Sequence, residues 1–230
     1  HPTLRRQRQM CIRDRSVGLQ GLGAAQLAYQ HSASYARERV QGRAPTGPEN
    51  PEAVADSILV HPDVRRMLLT QRAYAEGCRA LGFYVGMQLD LAKYADDAQA
   101  QRIGELLTPV VKAFLTDRGL ECAVLGQQVL GGHGYVKEWG MEQIVRDARI
   151  GQIYEGANGI QAIDLVGRKV VRDGGQTLKE LIDEIIATDV DDEFAPALRD
   201  VCERLTAVTE SVVNRSCLLY TSPSPRDRYG

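Results

Sequence analysis

The sequence predicts an all-α protein, an antiparallel helical bundle with a short helical appendage towards its C-terminal end. Three observations support this fold class. Apolar residues recur at steps of three and four along most of the chain, as they do on one face of an α-helix. No segment alternates apolar and polar residues, so we expect almost no β-strand. Glycine and proline cluster in short stretches that separate the helical patterns.

The first part of the chain predicts two helices with a loop between them. Residues 16–41 are rich in Ala and Gly, which suits a helix whose small-residue face packs closely against a neighbour. Residues 41–50 contain two Gly and two Pro and are expected to form a loop. Pro62 then opens a long amphipathic stretch, in the helix position where the missing N–H of a proline costs nothing. Asp96-Asp97 marks the end of that stretch.

The middle of the chain predicts a second long helical stretch. Apolar residues fit the helical pattern from Ile103 to Leu130, where Gly131-Gly132 ends it. Thr108-Pro109 lies inside this stretch and either caps a new helix or kinks a single one, and the sequence leaves both open. Shorter amphipathic helices are expected further on, over residues 139–153, 160–171, 178–186 and 198–212.

Both ends of the chain resemble translated sequencing adapters. One codon choice for Met10–Asp14 is ATG TGT ATA AGA GAC, and its reverse complement, preceded by a T and read in a shifted frame, encodes Cys217–Thr221. Two ends of one protein have no structural reason to be reverse complements. We therefore expect residues 1–15 and 217–230 to be non-native and residues 16–216 to be a piece of a longer gene product. The alternative is a genuine basic arm and Pro/Ser tail.

Charge and cysteine content argue against several classes of protein. The formal net charge is −2, and removing the seven Arg and two Asp of the adapter-like ends leaves −7 for the body. An acidic body is poorly suited to a phosphate backbone, so we expect no nucleic-acid partner. No apolar run approaches the roughly 18 residues of a membrane span. The body contains three Cys without metal-type spacing, which predicts reduced thiols in a cytoplasmic protein and no metal site.

Two glycine-containing loops flank the helix expected over residues 139–153. QQVLGGHGY precedes it and IYEGANGIQ follows it. Glycines at helix ends let backbone N–H groups approach an anionic or planar ligand closely, but they also occur where they only end helices. Glu155 in the second loop is a candidate general base if the loop shields it from water, and otherwise a solvated surface carboxylate.

The segments YARERVQGR, QVLGGHGY and RDARIGQIYEGANGIQ occur in the order and approximate spacing found in acyl-CoA dehydrogenases, and the resemblance covers residues 17–171. It implies that the chain is the C-terminal helical bundle of an FAD-dependent enzyme. Members of that family combine an N-terminal helical domain, a β domain and this bundle. They assemble as homodimers or homotetramers in which FAD is partly held by the neighbouring subunit. We therefore expect the chain by itself to be inactive.

The resemblance also implies the reaction, in which an acyl-CoA is oxidised to a trans-2-enoyl-CoA. Glu155 matches the carboxylate that removes the α-proton, and the β-hydrogen leaves as hydride to FAD. Because that α-proton is only weakly acidic, the developing enolate has to be stabilised electrostatically. In the family, the backbone N–H at the matching Glu and a flavin ribityl hydroxyl point at the thioester oxygen. The electrons then pass to an electron-transferring flavoprotein.

Further positions match cofactor and substrate contacts of the family. The expected FAD contacts are Arg39, Gln41, Gln128, Gly131, Gly132, Ala157 and Gly159, and the expected substrate contacts are Tyr154 and Gly156. Arg39 has a plain alternative as a charge favoured at a helix C-terminus, and Gln128 as a surface residue. His133 is not used as an acid or base in the family, so we interpret it as a loop residue.

The sequence departs from many members at three places. It reads ERVQGR where they read ERVQFGR, so an aromatic residue that contacts the flavin is absent. Ala157 stands where many have a threonine whose hydroxyl meets the flavin. Asn158-Gly159 replaces a Gln-containing pair and, with HPDVRRML and AIDLVGRK, resembles a longer subgroup that includes 3-methylmercaptopropionyl-CoA dehydrogenases. That subgroup carries an additional C-terminal helical region.

These patterns predict the bundle over residues 16–172 and the start of the additional helical region over residues 173–216. Two other functions remain open from the sequence. One is a helical oligomerisation module without catalysis, in which the site residues are incidental. The other is an acyl-CoA oxidase, which passes its electrons to oxygen.

Overall fold

The computed structural model describes the backbone of residues 2–219 and the side chains of residues 16–216. It confirms the all-α class, since the described backbone contains one isolated bridge, between Val40 and Ser57, and no β-strand. The origin of the two adapter-like ends stays a prediction, because their side chains lie outside the described residues. The helices are α1 Pro2–Glu38, α2 Pro62–Tyr94, α3 Ala98–Leu130, α4 Met141–Gly151, α5 Asn158–Ile163, α6 Gln176–Ala187 and α7 Ala195–Leu219.

Shorter helical segments lie between these elements. Single 3-10 turns cover Ile58–Val60, Gly131–Tyr135, Lys137–Trp139 and Val171–Asp173, and a π-helical stretch covers Asp164–Val170. The helix expected over residues 160–171 is therefore α5 continued by π and 3-10 turns. The helix expected over residues 139–153 is α4, which begins at Met141 because Gly140 adopts a left-handed φ of 71° just before it.

The small-residue face predicted for the first helix packs against α3. A Cβ atom on Gly21 would lie 2.3 Å from the backbone oxygen of Leu115, and one on Gly119 would lie 2.4 Å from that of Gly21. Only glycine allows two helix backbones to approach this closely. Neighbouring positions of α1 are filled by fully buried small residues, Ala25, Ala28, Ser32 and Ala36.

The helices α2 and α3 form an antiparallel pair joined by the turn at Asp96-Asp97. Asp96 adopts a left-handed φ of 52°. The Asp97 carboxylate accepts hydrogen bonds from the backbone N–H groups of Gln99 at 2.9 Å and Ala100 at 3.0 Å, which caps the start of α3. Pro109 lies inside α3, so Thr108-Pro109 belongs to one continuous helix and does not begin a new one.

The first helix ends shortly before Gln41, where the expected loop begins. It ends at Glu38, and the next residues are extended. The backbone N–H of Gln41 donates to the carbonyl of Asp56 at 2.9 Å, and the N–H of Ile58 donates to the carbonyl of Arg39 at 2.9 Å. These hydrogen bonds to the returning chain replace the helical ones and end α1 at that point.

The chain divides into two compact units. Among the described residues, the first comprises those up to Met87 together with Thr108–Gln161, and contains an extensive apolar cluster and all predicted site residues. The second comprises Gln88–Leu107 and the residues from Ala162 onward. In the second unit Arg102 pairs with Glu180 at 2.9 Å. The predicted division of the chain at residue 172 stays a prediction.

The three cysteines of the described side chains are free thiols, and all are buried. Burial raises the pKa of Cys78 to about 11 and that of Cys122 to about 12. Such thiols are protonated near neutral pH and unreactive. Among the described residues no helix combines the length and the apolar composition that crossing a lipid bilayer requires.

Candidate active site

The two glycine-containing loops lie on either side of α4, within the first unit. The loop before α4 contains the Gly131–Tyr135 turn, and the loop after it covers residues 152–157. α4 buries Met141, Ile144 and Ala148 in the apolar cluster shared with α1, so its two ends are fixed in the bundle. Both loops are thus attached to one rigid element.

The loop after α4 carries Glu155 in an unusual backbone conformation. Glu155 has a φ of 54° and Gly156 a φ of 88°, two consecutive left-handed residues. Glycine adopts such angles freely, but a glutamate rarely does, and the exception marks a strained position. The side chain of Glu155 is exposed in this chain, while Tyr154 and Gly156 on either side are half-buried. The Tyr154 hydroxyl donates a hydrogen bond to the Gln20 side chain of α1.

Polar side chains from α3 hold the backbone of this loop. Lys112 is fully buried, and its ammonium group donates to the Gly156 carbonyl at 2.8 Å and to Asn158 Oδ1 at 3.0 Å. Asp117 Oδ1 accepts from Asn158 Nδ2 at 2.7 Å and from Gln152 Nε2 at 2.6 Å. Both ends of the loop are therefore attached to α3.

The loop before α4 is held by aromatic contacts instead. His133 stacks on Trp139 with ring centroids 4.6 Å apart and 9° between the planes. Tyr35 of α1 meets both rings edge-on, and its hydroxyl is hydrogen bonded to His133 Nδ1 at 2.9 Å. Gly134 is buried so closely that a Cβ atom there would lie 2.4 Å from the Gln127 carbonyl oxygen. The structure thus gives His133 a packing role.

A cleft of about 400 Å³ lies beside this loop. Three of the predicted FAD contacts line it, namely Arg39, Gln41 and Gly131. The Arg39 guanidinium donates to Gln41 Oε1 at 3.3 Å. The remaining lining residues are Tyr35, Gly42, Ile58, His61, Val64, Val129 and Leu130. The cleft therefore combines one guanidinium and one amide with a largely apolar wall.

Residues 43–56 form the loop that returns the chain beside Arg39 and Gln41. The buried Asp56 carboxylate accepts from the backbone N–H groups of Glu49 at 3.1 Å, Ala44 at 3.0 Å and Asn50 at 3.2 Å. The pKa of Asp56 is lowered to about 2, chiefly by the hydrogen bond from the Glu49 N–H. The N–H groups of Ala44 and Asn50 and the Arg43 guanidinium lower it further, whereas burial opposes the shift. Asp56 is therefore ionised at neutral pH and fixes the loop.

The other predicted site residues lie outside the cleft lining. Gln128 and Gly132 are exposed near the end of α3, and Ala157 and Gly159 are exposed beside Glu155. The sequence argument missed His61, whose Nε2 donates to the Gln41 carbonyl at 2.8 Å. Lys112 was not singled out either, because a lysine in a helical pattern is ordinarily assigned to the surface.

Known proteins resemble this chain over most of its length. Residues 15–170 match the family described as acyl-CoA dehydrogenase, C-terminal domain. A 3-methylmercaptopropionyl-CoA dehydrogenase from Ruegeria pomeroyi is 50% identical over 177 residues, which cover 76% of this chain and 30% of that protein. A broad-specificity linear acyl-CoA dehydrogenase, FadE5, from Mycobacterium tuberculosis is 38% identical over 174 residues, covering 74% of this chain and 28% of that protein.

A solved structure supports the fold. ACDH-11 from Caenorhabditis elegans, in complex with C11-CoA, superimposes with a TM-score of 0.70 at 17% identity, over 89% of this chain and 34% of that one. At this identity the likeness concerns the fold alone. The chain spans less than a third of the length of the two relatives from Ruegeria and Mycobacterium. The predicted family and subgroup are confirmed, and the chain belongs to the acyl-CoA dehydrogenase family, with residues 15–170 forming the C-terminal domain.

Proposed function

We propose that this chain supplies the catalytic base and part of the FAD-binding surface of an acyl-CoA dehydrogenase. The observation that carries the proposal is the Glu155 loop, in which a glutamate is held in a left-handed conformation just after a helix that is packed into the bundle. Strained backbone of this kind is found mainly where function requires it. The family membership supplies the reaction, oxidation of an acyl-CoA to a trans-2-enoyl-CoA.

In this reaction Glu155 removes a proton from the α-carbon of the acyl group. When bound, FAD supplies the acceptor for the β-hydrogen and its bonding electron pair, and a double bond forms between the two carbons. The Glu155 backbone N–H stabilises the negative charge that develops on the thioester oxygen. Tyr154 and Gly156 flank the base and form one side of the acyl-CoA site.

The cleft beside the Gly131–Tyr135 turn fits part of a flavin nucleotide. Its guanidinium, from Arg39, suits a pyrophosphate group, and its apolar wall suits a planar ring. Gly131 has a left-handed φ of 59°, and Cβ atoms on Gly131 and Gly132 would meet nothing within 4 Å, so this turn leaves open space for a ligand. Arg39, Gln41, Gln128, Gly131 and Gly132 would hold the nucleotide end, and Ala157 and Gly159 the flavin end.

Exposed apolar side chains support an enzyme larger than this chain. On α2, Leu69, Phe83 and Met87 are 65%, 71% and 51% exposed. Such residues on the helices of a bundle are usually covered by further protein. We propose that other domains and further copies of the same protein cover them, in a homodimer or homotetramer that passes electrons to an electron-transferring flavoprotein. Residues 16–216 alone should then fail to retain FAD.

The test requires a complete enzyme. Residues 16–170 replace the matching region of the Ruegeria pomeroyi relative, which is 50% identical, and we call the product the grafted enzyme. Glu155→Gln should lower turnover of 3-methylmercaptopropionyl-CoA with a dye acceptor by about 1,000-fold or more, because general-base catalysis contributes typically 10²–10⁴-fold. Its FAD absorbance should stay unchanged.

Glu138→Gln is the matched control, because Glu138 is an exposed glutamate outside the loop of residues 152–157 that carries Glu155. It should leave turnover within a factor of two. If Glu155→Gln retained full turnover, Glu155 would not be the base, and a helical oligomerisation module would describe the chain better. Rapid oxygen consumption by the grafted enzyme in place of dye reduction would indicate an acyl-CoA oxidase.

A further inference from the structure

The backbone around Glu155 needs support from outside the loop. Two consecutive left-handed residues, one of them a glutamate, are strained and persist only where the surroundings over-determine the conformation. The backbone hydrogen bonds of this loop include two that span it. The Tyr154 N–H donates to the Ile150 carbonyl at 3.1 Å, and the Asn158 N–H donates to the Gln152 carbonyl at 3.3 Å. Neither involves the carbonyl group of Gly156, which follows the base.

Lys112 fixes that carbonyl. Its side chain is fully buried in α3, and the ammonium group donates to Gly156 O at 2.8 Å. A second N–H of the same group donates to Asn158 Oδ1 at 3.0 Å. Burying an ammonium is unfavourable, and a hydrophobic residue would fill the same space at less cost. A lysine here makes physical sense because it has three donors to direct at the loop.

Asn158 connects this contact to Asp117. Its amide nitrogen donates to Asp117 Oδ1 at 2.7 Å, while its amide oxygen accepts from Lys112. The same Asp117 oxygen accepts from Gln152 at the other end of the loop, at 2.6 Å. The contacts therefore run from one end of the loop to the other through two side chains of α3. Asn158 also stands where many members of the family have a different residue pair, so this arrangement is not general to them.

We propose that Lys112, Asp117 and Asn158 form a polar bracket whose role is to position Glu155 for proton abstraction. This role rests on the proposed function of Glu155, and it adds a physical cause for the left-handed backbone at Glu155 and Gly156. The bracket contacts the Gly156 backbone after the base and the Gln152 side chain before it, and it sets the directions of the Glu155 carboxylate and N–H group. Its members are positioning residues, and they do not contact the reacting atoms themselves.

The test uses hydrogen exchange and kinetics of the grafted enzyme together. In Lys112→Met the amide hydrogens of residues 152–158 should exchange about 10-fold faster or more, while those of α1 and α4 keep their rates. The kcat value should fall about 10- to 100-fold with KM changed less than threefold, because an error of about 1 Å in placement costs about that much. Lys93→Met, at an exposed lysine of α2, is the control and should change neither quantity.

Asn158→Ala is the second variant, and it removes only one contact of the lysine. If Lys112→Met does not fold, Asn158→Ala should give the same local increase in exchange and a smaller loss of kcat. Exchange that stays unchanged in residues 152–158 would overturn the proposal. So would exchange that rises equally throughout α1, α3 and α4, because the lysine would then act only on overall stability. The exchange result stands even if Glu155→Gln keeps full activity, so a failure of the bracket is distinguishable from a failure of the base.

Discussion

The loop before α4 and the loop after it are both built around glycines, yet they are held by different forces. The first is fixed by stacked aromatic rings and by the burial of Gly134 against the Gln127 backbone. The second is fixed by a buried lysine and a carboxylate that meet its peptide groups and side-chain amides. Packing tolerates little change of volume, whereas a polar network depends on its donors and acceptors. The two loops should therefore respond to different substitutions.

The largest effect is expected for Gly134→Ala in the aromatic loop. The added Cβ would lie 2.4 Å from the Gln127 carbonyl oxygen and 2.8 Å from its Cα, so backbone has to move. We expect a loss of about 3 kcal/mol in the free energy of unfolding of the 230-residue chain, measured by urea denaturation. Gly132→Ala two residues earlier is the control, because its Cβ would meet nothing within 4 Å. Equal stability of the two variants would refute the packing account.

A smaller effect is expected for Asp117→Leu in the polar loop. Leucine removes the acceptor shared by Asn158 and Gln152, which should cost about 2 kcal/mol in the free energy of unfolding. Asp117→Asn keeps a carbonyl oxygen of the same shape and should lose less than half of that. If asparagine were as damaging as leucine, the charge of Asp117 and not its hydrogen bonds would hold the loop.

Tyr35→Phe tests the hydrogen bond between Tyr35 and His133 in the aromatic loop. The substitution keeps the edge-on ring contacts with His133 and Trp139 and removes only the hydroxyl, which lies 2.9 Å from His133 Nδ1. We expect a loss of about 1 kcal/mol in the same denaturation experiment. Tyr135→Phe, at a tyrosine that is 83% exposed, should change the stability by less than that. A loss above 2 kcal/mol for Tyr35→Phe would mean that hydrogen bonding and not packing dominates in this loop.

The last effect appears only at acidic pH and concerns the segment that faces the aromatic loop across the cleft. Folding lowers the pKa of Asp56 from its ordinary value of 3.8 to about 2, chiefly through the Glu49 N–H. This contribution to stability is fully present above pH 4 and is lost as the pH falls through about 2, because protonation then removes the acceptor. In Asp56→Asn the stability should depend less steeply on pH between 4 and 2. An unchanged slope there would refute the role of Asp56.

Local sequence patterns were sufficient to predict the helices. The long stripes of α2 and α3 are periodic over many turns, so their hydrophobic faces define them without tertiary information. Pro109 could not be assigned from the sequence, because a proline is accommodated within a helix only when the surrounding packing compensates for it. The pairing of Gln41 with Asp56, fifteen residues later, could not be read from local patterns, because it depends on how the loop folds back.

The candidate site was predictable only in part. The loop sequences and their resemblance to a family indicated Glu155 as the base and Arg39, Gln41 and Gly131 as cofactor contacts. The fold brings these last three residues together in one cleft. The polar bracket was not predictable, because Lys112 lies more than forty residues before Asn158 and meets it only once α3 has packed beside the loop. From the sequence alone a lysine is assigned to the surface, because lysines are rarely buried.

The most direct test of the catalytic assignment follows the proton itself. The grafted enzyme is incubated in deuterated water with an acyl-CoA whose β-carbon carries no hydrogen, so the reaction stops at removal of the α-proton. Mass spectrometry then measures deuterium entering the α-position. The account predicts steady incorporation with Glu155 present and at least a 1,000-fold slower rate in Glu155→Gln with FAD still bound. Incorporation at an unchanged rate in Glu155→Gln would contradict it.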